Sequence, residues 1–144
     1  MEPKAIAVTL AGTEYPLCLT VAALEEIETL CGGLENLGNY MAGVPADVTE
    51  SEAGAVNAGR AANATAQVLG VLIAAGEENR QVLATLSGEI CEARDVPNEL
   101  EVPHLMRPAD MLSCQKAVWE AIAQGMGQTV EVEPSKNARS AEPG

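Results

Sequence analysis

The chain has 144 residues and a formal net charge of −13, with 47% hydrophobic but only 2% aromatic residues. That length suits one domain, and a domain of this size buries roughly 68–70% of its unfolded surface, enough to fold without covalent staples. An acidic chain whose aromatics are Tyr15, Tyr40 and Trp119 repels phosphate backbones and offers no stacking platform, which argues against a nucleic-acid partner.

Between Ala5 and Gly59 there are eight acids and no Lys or Arg. Such an excess serves solubility, or it attracts a basic partner. With no Phe, the core has to be built from Ala, Val, Leu and Ile. Small side chains suit close helix–helix contact better than an aromatic-walled ligand pocket. No uninterrupted apolar stretch approaches the length of a membrane span, and the first ten residues hold no apolar run of the kind a secretory signal needs. Cys18, Cys31, Cys91 and Cys114 lack ligand spacing, so free thiols in a reducing cytosol are expected and a zinc site is not.

In chain order, Ala5–Leu10 and Tyr15–Leu19 alternate as two strands, joined through Ala11-Gly12-Thr13-Glu14. Pro16 cannot donate to a ladder and belongs where its nitrogen faces outward. Thr20 has the chemistry of a helix N-cap. Leu24 and Ile27 follow on one face, Glu25, Glu26 and Glu28 on the other, and Gly32-Gly33 supplies the left-handed stop. Leu34, Leu37 and Met41 share a face of a short second helix.

Thr49-Glu50-Ser51-Glu52 has the form of a capping box and predicts a long helix to about Ala75, ended by Gly76. Along it Ala55, Gly59, Ala62, Ala66, Leu69 and Ile73 recur at spacings of four and three. This row is either an internal packing seam or a groove for a partner helix. It provides the candidate partner-binding residues. Gly54, Gly59 and Gly70 each weaken a helix by roughly 1 kcal/mol relative to Ala, so tertiary packing has to hold it.

A fourth helix is expected from Asn79 to about Arg94, with Val82, Leu86, Ile90 and Ala93 inward. A loop follows over Asp95–Arg107. Pro108 then opens a fifth helix whose apolar stripe is Met111, Leu112, Val118, Trp119 and Ile122, with Trp119 as a core anchor. From Gln128 the chain turns polar and Pro-containing, which predicts a disordered tail. The expected fold is α+β and mostly α: a short N-terminal hairpin packed on about five helices over residues 1–127, then a flexible tail over 128–144.

No motif for catalysis stands out. His104 is the lone histidine and has no sequence-local triad or metal partner. Glu25 and Glu28 lie one helical turn apart, but a face of glutamates is ordinarily a solvated surface. No enzyme activity, cofactor or metal is expected.

The segment Val8-Thr9-Leu10, Gly12-Thr13-Glu14-Tyr15, Leu17-Cys18-Leu19-Thr20, Leu24, Ile27-Glu28 and Gly32-Gly33 resembles the tail assembly chaperones of long-tailed phages. These are a family shared with gene transfer agents and also described as tail tube proteins. The likeness covers residues 6–33 and is only architectural from Asp47 to Gly127, where Val68–Gly76 is similar to the family's apolar helix end. Pro16 and the absence of basic residues in the hairpin depart from the pattern. The resemblance implies a non-catalytic chaperone, acting in the host cytoplasm and absent from the mature virion, that binds the tape measure protein and assists assembly of tail tube subunits. It also implies possible association with itself or a frameshift-extended form. A structural tail or head–tail connector component, or a small acidic protein-binding regulator, are the alternatives.

Overall fold

The structure is a computed structural model that describes residues 6–43 and 58–127. Strands β1 (Ile6–Leu10) and β2 (Thr13–Leu17) pair antiparallel, from Ile6 opposite Leu17 to Leu10 opposite Thr13. The turn is Ala11-Gly12 alone, with φ of 51° and 84°. Two successive positive φ angles match the right-handed twist of the flanking strands, so a tight turn replaces the expected longer connector and β2 starts at Thr13. Counted from the closing pair, Pro16 sits opposite Ala7 at a position without ladder hydrogen bonds, where its missing N–H costs nothing. Val8, Leu10 and Leu17 are buried.

Helix α1 (Val21–Cys31) begins at Thr20, whose Oγ1 accepts a 3.1 Å bond from the Ala23 N–H. It ends at Gly32, φ 82°, where the N–H groups of Gly32 and Gly33 both donate to the Glu28 carbonyl. Ala23, Ile27 and Cys31 face inward, and Glu25, Glu26 and Glu28 face solvent. A 3-10 turn over Leu34–Asn36 leads into α2 (Leu37–Met41), which buries Leu37 and Met41. The capping box at Thr49 and the tail from Gln128 lie outside the described residues.

Helix α3 (Ala58–Leu86) is the centre of the molecule: α1, α2, β2 and a later helix all lie against it. It does not stop at Gly76 as expected. That glycine serves close approach instead, because a β-carbon there would sit 2.9 Å from the Pro16 carbonyl oxygen. Just beyond Pro16, the Cys18 N–H donates to the Leu72 carbonyl at 3.2 Å. The hairpin therefore rests on the helix through backbone atoms, which a side chain at position 76 would prevent.

The expected separate helix over Asn79–Arg94 is corrected accordingly. Its first part is the continuation of α3, and the chain leaves the helix at Gly88, φ +74°. There the Gly88 N–H donates to Thr85 and the Glu89 N–H to Ala84, closing a Schellman motif. Val82, Leu86, Ile90 and Ala93, expected inward, are exposed. Residues 89–97 return without helix to 3-10 turns over Val102–His104 and Pro108–Asp110.

Helix α4 (Met111–Gly125) buries Cys114, Ala117, Val118, Ala121 and Ile122. Two of its expected stripe residues point outward: Leu112 is 74% and Trp119 45% exposed. Trp119 is thus no core anchor. Helix α4 packs against α3 and β1, with Ala117 and Ala121 among the residues it buries. At the end of that helix a β-carbon on Gly125 would lie 2.5 Å from Leu19 Cβ. The architecture is α+β and mostly α, with four α-helices among the described residues. One continuous core holds it together, centred on Val68, Leu69, Leu72 and Ile73.

Candidate interaction surface

The row of candidate partner-binding residues divides along α3. Ala66, Leu69 and Ile73 are at most 1% exposed and belong to the core. Ala62 is half-buried against that core, Gly59 is exposed, and Ala55 lies outside the described residues. Over Ala66, Leu69 and Ile73 the row is an internal seam, and the expectation of a partner groove is corrected there. The physical reason is the central place of α3: the hairpin and other helices cover the face that periodicity marks as apolar.

A polar junction closes the seam's N-terminal half. Gln115 Nε2 donates to the Met41 carbonyl at 2.9 Å and to Thr65 Oγ1 at 3.1 Å, and Thr65 Oγ1 donates to the Ala61 carbonyl at 2.9 Å. The Tyr40 hydroxyl donates to Gln67 Oε1. Burial pushes the Tyr40 phenol above its usual range, so it stays protonated as the donor. These bonds tie α2, α3 and α4 together, and every partner in them has a structural use.

The accessible apolar surface lies elsewhere. No residue of α3 beyond Ala75 is buried, so its last three turns stand clear of the core as an arm. Val82 and Leu83 are each 56% exposed, Leu86 is 78% exposed, and Ile90 just past the turn is fully exposed. A helical extension without tertiary contacts is marginal in water. This one is stabilised by the returning chain, through a cluster of hydrogen bonds around Glu77 and Arg80.

The Glu77 carboxylate accepts from Arg80 Nε at 3.0 Å, Arg80 Nη2 at 2.7 Å, Gln81 Nε2 at 2.7 Å and the Arg94 N–H at 2.8 Å. Arg80 donates in turn to Cys91 Sγ at 2.7 Å and to the Glu92 carbonyl at 2.8 Å. The Arg80 guanidinium and the further hydrogen bonds from Arg94 and Gln81 hold the Glu77 carboxyl down at about 2. Between helix and return runs an open cleft of about 540 Å³, with Leu83, Ala84 and Ser87 on one wall and Glu89 to Arg94 on the other.

A second apolar row follows α4 on its outer face. Leu112, Trp119 and Met126 recur every seven residues and are exposed, with the Trp119 ring lying over Gly38 of α2. His104 is exposed on its 3-10 turn, and Glu25 and Glu28 lie on the solvent face of α1. His104 lines an open hollow of about 560 Å³ together with Asp95, Glu101 and Leu105. Cys31 and Cys114 are buried, Cys18 and Cys91 half-buried, and all four are free. Among the described residues no helix is long and apolar enough to cross a membrane.

Periodicity missed the arm because it treated Val82, Leu86 and Ile90 as one inward face. The signal that marks it is Ser87-Gly88-Glu89 directly after Leu86, a left-handed stop of the same kind as Gly32. No protein-family model, curated protein or solved structure matches the chain.

Proposed function

We propose that this protein is a phage tail assembly chaperone, a non-catalytic protein that binds the tape measure protein in the host cytoplasm and assists assembly of tail tube subunits around it. The observation that carries the reading is the arm of α3. Its apolar residues Val82, Leu83, Leu86 and Ile90 remain in solvent while Leu69, Leu72 and Ile73 of the same helix are buried in the core. A helix face left apolar in this way fits a partner helix laid along it. A long helical partner engages many such domains weakly, and the summed contacts supply avidity without one strong site. The hairpin and capped α1, which carry the sequence resemblance, belong to the same core and position α3 through Pro16 and Cys18.

Two experiments test the reading. Co-expression with the tape measure protein of the same genome should keep that protein soluble and yield a complex that co-elutes in gel filtration. Proteomics of purified particles should find no copy of this chain. A tape measure protein that stays insoluble and unbound sinks the chaperone reading. Stoichiometric amounts in the particle would support a structural tail component instead.

A further inference from the structure

The partner chemistry can be specified from the arm, an inference that rests on the protein-binding reading above. We propose that the cleft between Leu83 on α3 and Ile90 on the returning segment docks an amphipathic helix whose apolar stripe is flanked by Lys or Arg. The apolar part of the match is direct. Leu83 and Ile90 line the same cleft, and Val82 and Leu86, one helical turn apart, are exposed on the same stretch of α3. The cleft volume of about 540 Å³ has room for large apolar side chains from an inserted helix. Four aliphatic side chains, Val82, Leu83, Leu86 and Ile90, are exposed within nine residues of chain, and clustered exposed apolar side chains mark interaction sites on monomers.

The charge around the patch selects the partner. Arg80 is committed to Glu77 at 2.7 Å, so that pair presents no net charge. Glu78 stands one helical turn before Val82, and Glu78, Glu89, Glu92 and Asp95 are all exposed. Glu89 and Glu92 line the cleft with Arg94 and the paired Arg80, and Glu78 and Asp95 beside it leave acids in excess around the patch. The chain as a whole carries −13, which opposes a second copy and an acidic helix alike, while cationic residues beside an apolar stripe meet complementary potential. Cys91 and the Glu92 carbonyl hold Arg80 from the return side, so the returning segment is fixed before the partner arrives and little ordering cost remains.

The test uses the full chain and three labelled synthetic helices of about five turns. The first has a leucine stripe flanked by lysines, the second the same stripe flanked by glutamates, and the third the composition of the first with its stripe scrambled. Fluorescence anisotropy at low salt should show the lysine helix binding at least about tenfold more tightly than either control, weakening as salt screens the acids. Leu83→Ser and Ile90→Ser alter exposed side chains, so both should fold with unchanged circular dichroism, and each should weaken the lysine helix about tenfold or more. Equal binding of the lysine and glutamate helices, no binding, or binding indifferent to both substitutions overturns the proposal. So does sedimentation showing a dimer that Ile90→Ser dissociates, since a second copy would then be the occupant. Repeating the substitutions in the tape measure complex separates the two readings. A complex that survives both leaves the chaperone function standing without this site, whereas helix binding with no tape measure complex leaves the site standing without that function.

Discussion

Gly70 of α3 lies directly against the backbone of Glu99: a β-carbon on Gly70 would come within 2.5 Å of the Glu99 nitrogen and Cα. The obstacle is main chain, which cannot swing aside as a long side chain would. Ala is the better helix former by roughly 1 kcal/mol, but overpacking a close contact costs about 1–3 kcal/mol or more. Gly70→Ala is therefore expected to lower stability despite its propensity, as a reduced urea midpoint at unchanged slope. A stabilised variant would show that the 98–99 segment moves away freely.

The seam and the arm should respond oppositely to truncation. Leu69 is fully buried, and Leu69→Ala is expected to cost about 2–5 kcal/mol through lost transfer energy and a residual cavity. Leu83→Ser, on a side chain 56% exposed, should stay within about 0.5 kcal/mol of the parent. Thermal or urea unfolding of the two variants side by side checks this. Similar losses would mean that the arm is part of the core.

Thr20 caps α1 through the 3.1 Å bond from Ala23. Thr20→Ala should cost about 1 kcal/mol, and Thr20→Asp should retain most of the stability because its carboxylate accepts the same bond and favours the helix N-terminus. Equal losses for both would place the effect in packing and not in the cap.

Glu77 makes stability depend on pH in a defined direction. Its carboxyl is held at about 2, below the ordinary 4.5, so its contribution is complete above the ordinary value. The contribution is lost as pH falls through the window between the two, where the folded state must take up a proton it resists. Glu77→Gln removes the contribution at neutral pH, and the gap between parent and variant should close as pH drops across that window. Hydrogen exchange at the Arg94 amide, which donates to Glu77, should be faster in the variant at neutral pH. A gap independent of pH would show that the carboxylate charge is not what holds the return.

Much of the fold is determined within short stretches of sequence. Period-two alternation over Ile6–Leu10, the Thr20 cap, the Gly32 stop and the apolar run ending α3's core face depend on neighbours within a few residues, and local stereochemistry decides them. Which apolar residues end up covered depends on distant contacts. Gly76 and Gly88 are both glycines after an apolar helix face. Gly76 stays within the helix, and its missing β-carbon admits the carbonyl of Pro16, sixty positions earlier, whereas Gly88 takes φ +74° and turns the chain. Likewise Leu69 and Leu83 are both leucines on α3, yet only Leu69 has the hairpin and helices packed over its turn of the helix. Burial is a property of what returns to cover a residue, so the sequence marks α3 as amphipathic while the tertiary structure alone assigns its first part to the core and its last turns to solvent.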